Sequence, residues 1–295
     1  PDRRSQMFER ILNLLRTGTG VDFRQYKRPT IERRVARRMV LLRLTRLDEY
    51  VRRLEKDSKE VQALFQDVLI LVTRFFRDPE VFEMLRTRAL PAILQAHKND
   101  EPIRAWIAGC STGEEAYSLA ILLLEFLAEH DLSIPVQIFA TDVSENGIER
   151  ARNGFYPATV AADVSAPRLR RYFAKADGGY RVSKAVRDVC VFARHDITRD
   201  PPFSRMDLIV CRNVLIYLNT AIQQKVMTLF HYTLKPTGFL LLGSAETVGQ
   251  HSDLFRAEDK RVRLYAKKAH AVSSLVLPSE YPLQLAGPRR AATPT

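Results

Sequence analysis

Cysteine is scarce in this chain. Cys110, Cys190 and Cys211 are odd in number and lie far apart. They make neither a disulfide framework nor a cluster with metal-ligand spacing, and they fit a reducing compartment. Long apolar runs are also missing. The best candidate, LAILLLEFLAEH, is interrupted by Glu125 and falls short of the roughly 20 residues that a membrane span needs. No signal-peptide pattern opens the sequence, so a cytoplasmic location without membrane insertion is expected. The first residue is Pro1 and not Met, which suggests a piece of a longer protein with further signalling domains. No repeat of 20–50 residues is visible. Acidic residues are in deficit, 34 against 46 Lys and Arg, for a formal net charge of +12. That imbalance points to an acidic partner.

Glycine is absent between Gly20 and Gly109, and the texture of the chain divides accordingly. Residues 1–72 read as an all-helical domain. In TIERRVARRMVLLRL, Thr30 stands where a helix cap is expected. From residue 89 to 268 short apolar strand candidates alternate with helical stretches: IRAWIAG, VQIFATD, VCVFARHD, DLIVCRN and GFLLLGSAE. Such alternation implies parallel βαβ units and a doubly wound α/β sheet. Residues 156–188 interrupt it, and RYFAKADGGYRV reads as a small hairpin turning at Gly178 and Gly179. Residues 73–88 read as a linker between the two domains. From 269 to 295 the chain is rich in Ser, Pro, Ala and Gly and reads as a tail or interdomain linker.

In an open α/β sheet the ligand lies beyond the carboxyl ends of the strands. The first such end is AGCSTGEE, with Gly109 and Gly113 suited to close backbone approach. No P-loop and no G-x-G-x-x-G is present. Glu114 and Glu115 would repel a phosphate at the helix start. The ligand is therefore expected to be a nucleoside without phosphates, carrying positive charge. S-adenosylmethionine meets that description. Asp142 ends the second strand, where an acid commonly holds ribose hydroxyls. His195, Asp196 and Ile197 end a later strand and are placed to meet an adenine edge and face. Cys211 and Arg212 follow DLIV.

These segments, AGCSTGEEAYSLA, FATDVSENGIERARNGFY, DLIVCRNVLIYL and LKPTGFLLLGSAE, together with TRFFRDPEVFEML and YKRPTIERRVARRM, resemble the CheR-type chemotaxis receptor glutamate O-methyltransferases. The resemblance runs from about residue 8 to 268. It implies a Rossmann-like class I methyltransferase domain with a small antiparallel β-subdomain, preceded by an all-helical domain. It also implies methyl transfer from S-adenosylmethionine, with S-adenosylhomocysteine as product, to glutamates on the cytoplasmic helices of chemoreceptors. By matching position the cofactor contacts would be Thr73, Arg77, Glu115, Asp142, Asp196, Ile197, Cys211 and Arg212, beside the backbone of Gly109. Arg77 and Tyr217 match positions near the reacting methyl. Two positions depart from some relatives, which carry Asn in place of Leu71 and of Asp196. The hairpin KADGGYRV is also compact where some relatives carry a longer one that grips a receptor tail peptide.

A glutamate side chain is ionised at neutral pH, its ordinary pKa being about 4.3. It needs no general base to attack a sulfonium methyl, so a catalytic histidine is not expected and His195 reads as structural. On TIERRVARRM the apolar stripe is Ile31, Val35 and Met39, and Arg33, Arg34, Arg37 and Arg38 fall on the other side. That basic face suits an acidic helix. Two rival readings stand beside this one. Asp200–Phe203, DPPF, resembles a motif of adenine N6-methyltransferases but precedes its strand where theirs follows it, so nucleic acid is not the expected partner. A cofactor-sensing module without catalysis is the second rival.

Overall fold

The computed structural model describes residues 3–69, 72–97 and 101–269. Leu71 and the tail from residue 270 lie outside these. Four helices form the N-terminal domain: α1 (Arg3–Thr19), α2 (Arg28–Leu41), α3 (Leu47–Lys56) and α4 (Ser58–Val68). Their apolar stripes meet in one core that includes Ile11, Leu15, Phe23, Ile31, Tyr50 and Leu64. α2 starts at Arg28 with Pro29 in its first turn. Thr30 is thus inside the helix and does not cap it. A proline fits the first turn because it lacks an N–H that would go unbonded there.

Between the domains run α5 (Pro79–Met84), one π-helical turn (Leu85–Ala89) and α6 (Leu90–Ala96). Val81, Phe82, Leu85 and Leu90 of this stretch are buried in the core of the sheet domain. It is therefore part of that domain's packing and not a free connector.

The sheet domain follows as β1 (Ile103–Ala108), α7 (Glu114–Glu129), β2 (Val136–Asp142) and α8 (Glu145–Asn153). β3 (Phe155–Pro157), α9 (Ala166–Tyr172), β4 (Phe173–Ala176), β5 (Gly179–Val182) and α10 (Lys184–Asp188) make the insertion. β6 (Cys190–Arg194), β7 (Met206–Cys211), α11 (Thr220–Thr233), β8 (Leu234–Leu242), β9 (Phe255–Asp259) and β10 (Leu264–Lys267) complete it. The main sheet has the order β6-β2-β1-β7-β8-β10-β9. The first five strands are parallel, and β10 pairs antiparallel with both β8 and β9. Side chains alternate between faces. Ile107, Leu208, Val210 and Leu241 enter one core, and Trp106, Ile209 and Leu240 the other. Burial on both faces is why these strands read as unbroken apolar runs. The insertion is a three-stranded antiparallel sheet, β3-β5-β4.

After β6 at the sheet edge, the chain returns to place β7 beside β1. That reversal opens a crevice at the carboxyl ends of β1 and β7. The helical domain is tied to the same end of the sheet. Lys27 N–H donates to the Tyr217 carbonyl (2.8 Å) and Asn219 N–H to the Gln25 carbonyl (2.9 Å). Among the described residues no helix is long and apolar enough to cross a membrane.

Candidate functional site

The loop after β1 is shaped by glycine. Gly109 has φ 84°, and a Cβ there would lie 2.2 Å from Val214 Cγ2. Both the left-handed backbone and the approach of the neighbouring loop exclude a side chain. Ser111 N–H donates to Asp142 Oδ2 (2.9 Å), and Ser144 N–H donates to Asp142 Oδ1 (2.9 Å). Asp142 therefore ties the ends of β1 and β2 together. Burial raises its carboxyl above the ordinary range, against the opposing pull of those backbone donors. The Ser111 hydroxyl is buried and takes no partner among the described residues.

The two glutamates that open α7 diverge. Glu114 turns back to accept from the Thr112 hydroxyl (2.7 Å). Glu115 Oε1 accepts from Arg212 Nη1 (2.6 Å), and its Oε2 accepts nothing from the described residues. The Arg212 side chain is only 2% exposed. Its other terminal nitrogen pairs with Asp78, and Nη1 also reaches the Arg77 carbonyl (3.3 Å). Burial raises the Glu115 carboxyl, and the Arg212 charge opposes that rise. The arrangement explains Asp78. It precedes α5 with φ 58° but makes no side-chain cap, because its carboxylate is committed to Arg212.

A buried carboxylate organises the loop after β7. Glu246 is 4% exposed. Its Oε1 accepts from the N–H groups of Val214 (2.8 Å) and Leu215 (2.7 Å), and its Oε2 from those of Asn213 (3.0 Å) and Gly243 (2.7 Å). Such charge-assisted bonds are among the stronger kind, and here they fix the RNVLIY turn that carries Tyr217.

Two adjoining clefts open at the crevice and share Gly109, Ser111 and Asn213. The first, about 470 Å³, is lined by Thr73, Arg77, Glu115 and Arg212. The second, about 710 Å³, is lined by Asp142, His195, Ile197, Val214 and Tyr217, with Tyr26, Val68 and Leu69 from the helical domain. The expected contacts thus divide between two neighbouring spaces. Cys211 and Asp196 line neither. The Cys211 side chain is buried in the core beneath the site, and burial pushes its thiol well up. Asp196 Oδ1 accepts from the N–H (3.0 Å) and hydroxyl (2.6 Å) of Thr198, closing a local turn.

The four arginines of α2 expected on one basic face, Arg33, Arg34, Arg37 and Arg38, separate as well. Arg33 and Arg37 are exposed and Arg34 is half-buried; none pairs with a carboxylate among the described residues. Arg38 departs from the expected basic face. Its guanidinium forks onto Glu60, Nε to Oε1 (2.9 Å) and Nη2 to Oε2 (2.6 Å), and Tyr50 also donates to that carboxylate (2.9 Å). Arg38 is held in the helical core because Glu60, 5% exposed, requires a cation. His195 Nε2 bonds the Pro201 carbonyl (3.0 Å), and its ring stacks on Phe203. Phe203 of DPPF stacks on Phe139 (4.7 Å between centroids) and meets Trp106 edge-on, so the motif serves packing. Tyr26, Ser111, Asn213, Val214 and Glu246 were not anticipated. All five sit inside the segments that carry the family resemblance. Tyr26 and Glu246 act across long sequence separations that carry no local signal.

The residues fit S-adenosylmethionine. A fixed carboxylate borders a cleft walled by Ile197, Val214 and Leu218. Beside it, a free oxygen of Glu115 and the unpartnered Ser111 hydroxyl stand ready for polar groups. Comparison with known proteins agrees. The family model described as "CheR methyltransferase, SAM binding domain" matches residues 71–264, and that described as "CheR methyltransferase, all-alpha domain" matches residues 6–69. An uncharacterized 104.1 kDa protein of Rhodobacter capsulatus is 38% identical over 87% of this chain, which spans only 27% of that protein. "Chemotaxis protein methyltransferase 1" of Pseudomonas aeruginosa is 31% identical, covering 84% of this chain and 93% of its own length. The "Chemotaxis protein methyltransferase" of Escherichia coli is 30% identical over 90% of both chains. With its sheet order, its glycine loop and both family models matched in sequence, the chain belongs to the CheR methyltransferases, which bind S-adenosylmethionine.

Proposed function

We propose that this protein transfers a methyl group to glutamate side chains on the cytoplasmic helices of chemoreceptors, forming methyl esters. When bound, S-adenosylmethionine supplies a methyl group activated by its sulfonium. The observation that carries the reading is the make-up of the first cleft. It presents the Arg77 guanidinium to an incoming group and holds no histidine or lysine. An acceptor that is already ionised suits it, and a carboxylate is one. The relatives named as chemotaxis protein methyltransferases support the same acceptor.

The chain's own residues then have positioning tasks. Thr73, Arg77, Gly109, Glu115, Asp142, Ile197 and Arg212 hold the cofactor, and Asp196 and Cys211, which line neither cleft, support the strand ends around it. Arg77 orients the acceptor carboxylate, and Tyr217 donates a hydrogen bond beside the transferred group. Alignment of this kind supplies up to about 7–11 kcal/mol in favourable cases. Arg33, Arg34 and Arg37 form the docking face for the acidic receptor helix, and Arg38 supports the fold beneath them.

The test is methyl transfer from labelled S-adenosylmethionine to a chemoreceptor cytoplasmic fragment, followed by mild alkali. Volatile label, released as methanol, is the expected result for carboxyl esters. Label that survives alkali would mean N-methylation and another acceptor. Arg77→Ala and Tyr217→Phe are expected to lower turnover, and unchanged rates in both would remove their assigned roles.

A further inference from the structure

The segment that walls the first cleft carries more positive charge than the roles assigned so far use. Val72, Thr73, Arg74 and Arg77 line the cleft from one stretch of chain. Buried rings anchor that stretch. Phe75 meets Tyr156 edge-on (4.9 Å between centroids), and the Phe76 N–H donates to the Ser118 hydroxyl (2.9 Å). Residues 72–74 therefore form a held edge, while Val72, 73% exposed, and the exposed Arg74 stay outside the core. Arg77 is half-buried and reaches back to the Val72 carbonyl (3.3 Å). Arg77 thus sits deeper and Arg74 at the rim. Of the guanidiniums that line this cleft, Arg212 is spent on Glu115 and Asp78, and Arg77 is assigned to the acceptor carboxylate. Arg74 pairs with no carboxylate among the described residues. The cofactor does not remove the surplus, because S-adenosylmethionine brings a sulfonium and an ammonium against one carboxylate. An exposed cation beside an exposed apolar side chain, at the mouth of a positively charged cleft, is set to meet the chain that delivers the acceptor.

We propose that Arg74 is a specificity-determining residue, pairing with a second carboxylate on the acceptor helix, one turn away from the glutamate that is methylated. This rests on the reading of the acceptor as a receptor glutamate and goes further, because it names what must flank that glutamate. On a helix, residues three and four places apart share one face. When the acceptor carboxylate enters toward Arg77, one such neighbour comes over the rim. There Arg74 offers a planar fork that matches a carboxylate, and Val72 gives the same turn an apolar contact. A pair at an exposed rim adds little affinity. Its effect is to choose among glutamates by the charge beside them, since a basic neighbour in the same place would be repelled.

The experiment compares chemoreceptor cytoplasmic fragments that carry either glutamate or glutamine three and four residues from a single methyl-accepting glutamate. The readout is the ratio of kcat/KM for the two fragments, so any loss of folded enzyme in a variant cancels. Wild type is expected to prefer the acid-flanked fragment by about three- to fivefold, the upper range for an exposed ion pair. Arg74→Ala should bring the ratio close to one, and Arg74→Glu should invert it. Added salt should shrink the wild-type preference, as screening requires. The same ratio in wild type and Arg74→Ala, or no preference in wild type, would overturn the proposal. So would a loss of S-adenosylhomocysteine affinity in Arg74→Ala beyond about twofold by calorimetry, since Arg74 would then serve the cofactor's carboxylate. Failure of the underlying reading looks different. Wild type would then place no alkali-labile methyl on either fragment, and both the reading and the proposal would fall.

Discussion

The two clefts share a glycine loop and differ in almost everything else. The first is walled by charge, with Arg77, Glu115 and Arg212 around it. The second is walled by Tyr26, Val68, Ile197, Val214 and Leu218, with the Asp142 carboxylate at its floor. A ligand that fills both must be amphipathic along its length, with a flat, mostly apolar end and a charged end. The same loop can serve both because its backbone bends without side chains at Gly109 and Gly113. The contrast also explains why the acidic pair after the glycines is tolerated. One member is folded back on Thr112, and the other is neutralised on one oxygen by a buried arginine.

Removing the shared support should have the largest effect. Arg212→Ala leaves the Glu115 and Asp78 carboxylates without their common cation. Breaking a buried pair costs about 3–5 kcal/mol, to be read as a lowered midpoint in urea unfolding. Asp142→Ala comes next. Loss of hydrogen bonds to a charged group, each worth about 1.5–3 kcal/mol, should weaken S-adenosylhomocysteine binding on the order of 100-fold by calorimetry, with a smaller change in stability. An effect on stability alone would mean that Asp142 only ties loops together.

Acidification sharpens the comparison because both clefts depend on a carboxylate that burial has raised, Asp142 in one and Glu115 in the other. Both should take up protons above the ordinary carboxylate range, near ~4. Cofactor affinity is therefore expected to fall as pH drops from 7 toward 5. The sign for apo stability is opposite. The folded state holds these two protons more tightly than the unfolded chain does, so their contribution to stability grows on acidification. Affinity independent of pH over that range would contradict the role of both groups. Two variants on α2 separate docking from folding. Arg37→Glu should raise the KM for receptor several-fold and leave cofactor affinity and stability unchanged. Arg38→Ala should do the reverse and destabilise the fold, because Glu60 is left buried without its guanidinium.

Much of this was legible in the sequence, for physical reasons. β1 and β7 are buried on both faces, so they stand out as apolar runs, and β2 keeps a buried face through Val136, Ile138 and Ala140; each ends beside the crevice. The insertion announced itself through Gly178. What stayed hidden depends on contacts between distant residues. β9, at the sheet edge, and β10, between β8 and β9, are short, and FRAED and LYAK are too brief to carry a clear strand period. Helical spacing put Arg38 with Arg34 and Arg37, and only the fold brings Glu60 beneath it, 22 residues on. Glu246 looks like any acid following a strand until five backbone N–H groups turn toward it. Asp196, expected to face the ligand, is instead drawn to Thr198 two residues away, a turn preference that competes with any ligand contact.

The most direct test of the two-cleft account uses a ligand that fills only one of them. Methylthioadenosine carries the nucleoside and lacks the charged amino-acid end. Its affinity should be measured beside that of S-adenosylhomocysteine for wild type, Glu115→Gln and Asp142→Asn. The account predicts that Asp142→Asn weakens both ligands, whereas Glu115→Gln weakens only S-adenosylhomocysteine. Equal loss of both ligands in Glu115→Gln, or no loss of methylthioadenosine in Asp142→Asn, would contradict it.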